Sequence, residues 1–356
     1  MALKHRLKRT LRDAYARALY HTGLHRLVDR LMPRRMTILF GHCIDEPACN
    51  GFLPRDMKLR AESLERVLDA FDAHYRFTTV GAGQRSLAAG ERGPSLVALS
   101  FDDGYRDNRT ALLPILQRRG VPATVFLETR PLGERTLNWS HQWHWALARG
   151  DAESLTRRYV ELSADAPTRA ALERALASGD RLAYHAKRLL KYDADPADRD
   201  RVCAALFCEV GGDEARLAAE LYLSWDDARA LQRAGFELGG HTRNHVILSR
   251  LGAADARAEV EGCRADIERE LGKGTATTFA YPFGRRWDYT DETRAIVREA
   301  GFPVAVNTHA GVVGARTDPT QLERVPVDDT TPVHLLVAEA CGGFELLRKL
   351  GVDLSE

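Results

Sequence analysis

Cysteine pairs are the first thing this 356-residue chain lacks: Cys43, Cys49, Cys203, Cys208, Cys263 and Cys341 are scattered, with no CxxC spacing. That distribution fits a reducing compartment better than a disulfide framework or a thiolate zinc site. No window reaches the roughly 18 to 20 apolar residues of a membrane span, and the N-terminus has no apolar secretory core. A cytoplasmic protein is therefore expected. Excess charge is missing too: 51 Lys and Arg stand against 50 Asp and Glu, so the whole-chain field offers no basis for a nucleic-acid partner. Internal repeats and low-complexity tracts are also absent.

What charge imbalance there is lies at residues 1–35, where Asp13 and Asp29 are the only acids among many Lys and Arg. Apolar residues recur there at helical spacing (Leu7, Leu11, Tyr15, Leu19, then Leu24, Leu27, Val28, Leu31), which predicts one or two basic amphipathic helices. Such helices allow a peripheral contact with an anionic membrane, at the inner face for a cytoplasmic protein. A solvated helix packed on the domain is the commoner fate of this pattern.

From residue 36 onward, strand and helix patterns alternate. "MTILFGHCID", "RFTTV", "SLVALSF", "PATVFLE", "FELGGHT", "ATTFAYPF" and "FPVAVNT" read as strands, with amphipathic helices between most of them. The Gly-rich "GAGQRSLAAGERGP" reads as a loop. Alternation of this kind predicts an α/β domain over 36–356 with a parallel sheet or barrel. Between about 130 and 220 the strand signal vanishes and short Ala- and Arg-rich helices take over, which marks a helical insertion.

Chemistry concentrates where apolar runs stop. In "VALSFDDGYRDN" a strand ends on Asp102 and Asp103, and Gly104 permits the tight exit that exposes both. Two adjacent carboxylates in a poorly hydrated site repel each other unless a cation or donor offsets the cost. In "GGHTRNHVIL", His241 and His245 stand at i, i+4 just past another strand, and one turn of helix there would bring both imidazoles to one ion. One carboxylate and two histidines form a recurrent three-ligand set for zinc or a similar divalent ion. Neighbouring residues on an extended chain point different ways, so one aspartate can bind the metal while the other serves as base. "TFAYPFG" ends a third strand, and its backbone N–H groups can serve an oxyanion.

In this order "SFDDG", "HTRNH" and "AYPFG" resemble the polysaccharide deacetylases of carbohydrate esterase family 4, the NodB-homology domain. "LSWDDARALQRAGFELGGHT" is similar to the family's approach to its histidine motif. The resemblance covers roughly Met36 to Asp329, less the insertion. It implies a distorted (β/α) barrel of about seven parallel strands and a divalent metal, usually Zn2+. Carried over, Asp102 is the general base, Asp103, His241 and His245 are the metal ligands, and the Phe283 N–H supports the oxyanion. The implied reaction is hydrolysis of an N-acyl group, most often N-acetyl, on a sugar.

Two departures from the family pattern stand out. No histidine follows an apolar run near the C-terminus where the family usually has its general acid; His334 reads as structural and His309, ending a strand, is a weak alternative. "ILFGHCID" instead resembles the "YHRV"-like strand that opens the domain in the permuted branch of the family, which points to His42 as the acid. Where many members carry an arginine that orients the base, Ala280 stands. Arg324 in "LERVPVDD" could approach Asp102 in its place, though a surface salt bridge is its commoner fate. Trp139, with Trp143 and Trp145, offers a sugar-stacking wall, against core packing for at least two of the three. Tyr281, Arg324 and His309 complete the residues considered for substrate contact.

Nothing in the sequence fixes the acyl group, so a deformylase or an O-acetyl esterase stays open. A cytoplasmic site points to a nucleotide- or lipid-linked sugar precursor. A rival of another class, a non-catalytic glycan-binding protein of the same fold, would be favoured by loss of the base or a ligand, and all four residues are present.

Overall fold

A computed structural model describes residues 2–349 and the side chains of 8–348; Met1, residues 350–356 and the Leu7 side chain of the expected helical pattern lie outside the described residues. By contacts the chain divides into two units. The larger comprises the chain up to Glu46, Asp56–Gly133 and the chain from Tyr222 on; the smaller comprises Pro47–Arg55 and Glu134–Leu221. The basic N-terminal helices thus belong to the larger unit. The short segment 47–55, which the sequence pattern did not separate, belongs with the helical one.

The larger unit is built on a sheet of β1 (Met36–Gly41), β2 (Arg76–Thr78), β3 (Leu96–Phe101), β4 (Ala123–Leu127), β5 (Glu237–Gly240), β6 (Thr278–Ala280), β7 (Val304–Val306) and β8 (Val325–Pro326). All its pairings are parallel. Seven strands follow one path, β8-β1-β3-β4-β5-β6-β7, with β2 paired to β3. β1 runs alongside the whole of β3, so β2 at Leu96–Ala98 and β4 at Leu99–Phe101 share the other edge. The segment after β7 reaches both ends of the path: Leu322 bridges Val306, and Val325 pairs with Leu39. The result is the distorted barrel of about seven parallel strands that the motifs imply.

β1, β3 and β4 are buried at every position, which is why they read as continuous apolar runs rather than alternations. Met36, Ile38, Ala98, Phe126, Ala280 and Val306 meet in one buried cluster. Each large side chain of this kind contributes roughly 1.5–3 kcal/mol by leaving water. Register follows from that burial, and it puts the carboxyl ends of β1 and β3 side by side, Gly41 opposite Phe101.

The Gly-rich segment expected as a loop is a helix, Val80–Ala88, capped by the Thr79 hydroxyl, which accepts from the Ala82 N–H. Its glycines serve close packing rather than flexibility. A Cβ on Gly83 would lie 2.3 Å from the Met36 sulfur, closer than real Cβ contacts come. Composition alone reads such glycines as a loop because it cannot see the sheet they press against.

α1 (Ala2–His21) and α2 (Leu24–Leu31) pack on the helix Val333–Ala340 and its continuation. Ala16 and Leu19 cluster with Ala338, Cys341 and Phe344, and the Tyr15 hydroxyl donates to the Gly343 carbonyl. His334 Nε2 lies 2.6 Å from Asp13 Oδ1, a structural place for that histidine. The outer face leaves Leu11, Leu24, Leu27 and Leu31 exposed, Leu31 by 76 %. No described helix is long and apolar enough to cross a membrane.

Helices are the regular structure of the smaller unit among its described residues. Asp151, Asp165 and Asp195 each cap a helix by accepting an N–H three residues on. Trp143, Tyr159, Leu172, Leu190 and Val202 form its core.

Candidate active site

The carboxyl end of β3 delivers Asp102 and Asp103, each 3 % exposed. Burial pushes the Asp102 carboxyl up, but the charge and hydrogen bonds of Arg324 more than offset this, with smaller help from His241 and His42, and hold it below the usual carboxylate range. Arg324 Nη1 and Nη2 donate to the two Asp102 oxygens at 2.7 and 2.8 Å. The arginine is itself fully buried, its Nε donates to the Asn307 carbonyl, and its guanidinium lies 4.3 Å over the Phe40 ring. This corrects the expectation of a surface salt bridge: the segment that closes the barrel turns Arg324 inward, so it meets Asp102 and not solvent.

Asp103 has a different partner set. Its Oδ1 lies 3.3 Å from Nε2 of His241 and 3.3 Å from Nε2 of His245, and makes no hydrogen bond among the described residues. The three candidate ligand atoms lie within 4.8 Å of one another. His241 Nδ1 is 2.7 Å from the Ala280 carbonyl. A carbonyl only accepts, so Nδ1 carries the hydrogen, and the Nε2 lone pair of the neutral ring faces the carboxylate oxygen. Two acceptors directed at each other repel unless a cation lies between them or the ring is protonated. Burial opposes that protonation, but the two aspartates outweigh it and raise the His241 pKa. The donor set, a buried unsatisfied oxygen and two imidazoles, fits a divalent cation.

The histidine segment corrects one further expectation. "HTRNH" is not a helical turn but a loop, with Thr242 at φ 61° and His245 at φ 51°. Two left-handed residues fold the imidazoles together, their ring centroids 4.9 Å apart. The loop is held from below by Glu259, whose carboxylate accepts the N–H groups of Arg243 and Asn244, both at 3.0 Å. Glu259 comes from the helix Ala253–Leu271 and was not singled out in the sequence; an acid on a helical face carries no signal of this task.

Asp103 (φ 72°) and Phe283 (φ 62°) are left-handed as well. Four of the six non-glycine residues with positive φ among those described therefore carry or flank the candidate ligands. Each such residue costs of order 1–2 kcal/mol. Phe283 packs its ring against His245, centroids 4.6 Å apart, and its carbonyl accepts from the Thr308 hydroxyl.

His42 follows β1 directly and is partly exposed. Its charge acts on both Asp102 and Asp103. Two residues of the "YRDN" stretch fix its segment: Asp107 accepts the Ile44 N–H at 2.7 Å, and Asn108 Nδ2 donates to the His42 carbonyl at 3.3 Å. Their part went unread in the sequence because it spans two strands. His309 is half-buried, and burial with the nearby Arg286 charge lowers its pKa, which suits a neutral ring rather than a proton donor.

Two further candidates for substrate contact occupy packed positions. Tyr281 is 1 % exposed, stacks on Tyr289 with centroids 4.3 Å apart and donates its hydroxyl to the Thr320 carbonyl, a core position with no open face. Trp139 is buried in the helical unit with the Arg199 guanidinium 4.6 Å over its ring, so that face of the ring is taken.

A cation at this site has a direct thermodynamic signature. Zinc added to chelator-treated protein is expected to stabilise it by about 2.7 kcal/mol at a hundredfold excess over Kd. Asp103→Asn with His241→Ala should abolish the shift in melting midpoint. Equal shifts in variant and wild type, followed by calorimetry, would place the cation elsewhere.

The family model described as polysaccharide deacetylase matches residues 89–305. That span holds Asp102, Asp103, His241, His245 and Phe283 but neither His42 nor Arg324. No curated protein matches the sequence. Among solved structures, the Streptococcus pyogenes deacetylase PplD, in complex with acetate, is similar at 16 % identity and a TM-score of 0.56, over 87 % of this chain and 99 % of that one. IcaB from Ammonifex degensii is similar at 16 % identity and a TM-score of 0.51, over 87 % and 98 %. A de-N-acetylase from Aggregatibacter actinomycetemcomitans is similar at 15 % identity and a TM-score of 0.51, over 84 % and 97 %. At these identities the likeness is one of fold.

Proposed function

Because the chain belongs to the polysaccharide deacetylase family, we propose that it is a metal-dependent carbohydrate deacetylase that removes an N-acetyl group from an amino sugar of a glycan or glycan precursor. The observation that carries this reading is the division of labour within the aspartate pair: Asp103 converges with two imidazoles while Asp102 is bound by a buried arginine. Asp103, His241 and His245 would hold a divalent cation, most suitably Zn2+. When bound, that cation supplies a Lewis acid for the acyl carbonyl and for the attacking water.

The residues of the chain supply the rest. Asp102 is ionised at neutral pH because Arg324 outweighs its burial, and it takes the proton of the attacking water. A carboxylate has about four lone-pair directions, so the two held by Arg324 leave others for that water. The Phe283 N–H supports the oxyanion, since its left-handed backbone sits beside the His245 ring. His42 gives the departing amine its proton; the closeness of β1 to β3 supports this role and with it the permuted-branch reading. On this assignment His42→Ala lowers kcat by on the order of 10² to 10⁴, measured as acetate release. Near wild-type turnover would transfer the role to another residue.

The substrate is an acylated amino sugar, cytoplasmic and nucleotide- or lipid-linked in this reading. The exposed leucines of α2 beside Arg26 and Arg30 support a peripheral membrane contact at the inner face. The deciding experiment measures acetate and formate release from N-acylated nucleotide sugars, lipid-linked sugars, oligosaccharides and an O-acetylated control. Acetate from N-acetyl substrates, lost in Asp102→Asn, supports the reading. Formate or ester cleavage alone would make it a deformylase or an esterase, and glycan binding without any turnover would make it a binding protein.

A further inference from the structure

The opposite end of the sheet carries a second constellation. About six strand residues from the aspartates, roughly 20 Å at 3.3 Å per residue, α2 and the segments leading into β2 and β3 line a half-open cavity of about 610 Å³. Its wall holds Arg26, Arg30, Arg34, His25 and His74 against a single carboxylate, Asp29. Arg34 is fixed by the carbonyls of Pro94 and Glu91 and by the Ser86 hydroxyl. Asp29 accepts from the Ser95 hydroxyl, and burial pushes its carboxyl up against the pull of Ser95 and of the nearby Arg35, His25 and His74 charges.

Other groups on this wall are left unserved. Tyr75 is 6 % exposed, and its hydroxyl has no hydrogen-bond partner among the described residues; nor has Nε2 of His74. Burial and the Arg26, His25 and Arg30 charges lower the His74 pKa, against a smaller pull from Asp29. Arg35 lies behind the wall, 3 % exposed, with none of its guanidinium nitrogens hydrogen-bonded among the described residues. Its charge acts on Asp29 and on Tyr75. Buried donors and cations left in this state cost free energy that an anion recovers.

We propose that this cavity binds a phosphate group, free in solution or carried by a lipid headgroup, and that it is a site separate from the catalytic one. Guanidinium forks match phosphate oxygens in geometry as well as charge, and the Tyr75 hydroxyl and a His74 N–H complete the donor set. Leu24, Leu27 and Leu31 stand exposed at i, i+3 and i+7 on the same helix as Arg26 and Arg30, an apolar seat beside the cavity for the lipid case.

Calorimetric titration of the full chain with inorganic phosphate, and co-sedimentation with phosphatidylcholine vesicles with or without phosphatidylglycerol, test the proposal. R26Q/R30Q removes two charged donors and should weaken binding at least about tenfold. Tyr75→Phe removes one hydroxyl that the fold does not use and should weaken it about three- to tenfold. Phosphate binding alone assigns a free phosphate, and vesicle binding displaced by phosphate assigns a headgroup; both support the cavity. No binding of either probe by wild type, or binding that Tyr75→Phe leaves unchanged, overturns it. Deacetylase turnover of a soluble substrate should stay at the wild-type level in both variants, so a failure here is distinguishable from a failure of the catalytic reading.

Discussion

Asparagine at position 102 is expected to lower kcat by on the order of 10² to 10⁴, the usual contribution of a general base. Asn keeps the shape of Asp102 and one acceptor for Arg324 but cannot take a proton. The three candidate ligands are untouched, so metal content should stay at the wild-type ratio, and glycan binding should persist. Elemental analysis of the purified variant alongside acetate release separates these quantities. Turnover near wild type would remove Asp102 from the chemistry; loss of metal together with turnover would make it a ligand instead.

Arg324→Met tests the other half of the pair, with a large effect on stability as well as on rate. Methionine fills the space between Phe40 and the strand ends but leaves the Asp102 carboxylate buried without its cation, which costs about 3 to 5 kcal/mol. Denaturant unfolding should show that loss at neutral pH. The sign with pH is fixed by the direction of the shift: Arg324 holds Asp102 below its ordinary value, so the stabilisation is present above the unfolded carboxylate pKa and fades as pH falls through the lower folded one. Removing Arg324 raises the Asp102 pKa, and the acidic limb of kcat/KM should move to higher pH. The double variant with Asp102→Asn should recover part of the lost stability because no unpaired carboxylate remains. A single variant as stable as wild type, with an unmoved acidic limb, would leave Arg324 no positioning role.

Much of this site is legible in the chain because its residues sit at the ends of apolar runs. Asp102, Asp103, His241 and Phe283 each stop or follow a strand whose burial on both faces makes it readable as a continuous run. Less legible is whatever depends on two distant segments meeting. Arg324 lies 222 positions from Asp102, and only closure of the sheet brings them together. Glu259 supports the histidine loop from a helix whose acids otherwise read as a solvated face. The helix at Val80–Ala88 was hidden by glycines that answer to packing, and the histidine loop by an i, i+4 spacing that two left-handed residues imitate without a helix. Trp139 and Tyr281 mislead for the opposite reason, since large aromatics near a motif are most often core.

The left-handed residues around the candidate ligands also set a trade between endurance and function. Asp103, Thr242, His245 and Phe283 hold backbone conformations that glycine would adopt freely, and the rest of the barrel bears that cost so that the donor atoms converge beforehand. His245→Gly and His245→Ala remove the same imidazole, yet only glycine also relaxes the backbone, so the glycine variant should be more stable by about 1 kcal/mol in chelator. Equal melting midpoints would mean the loop carries no such burden. The chain would then owe its site to side chains alone, and thermal hardening of this protein could proceed through that loop without loss of activity.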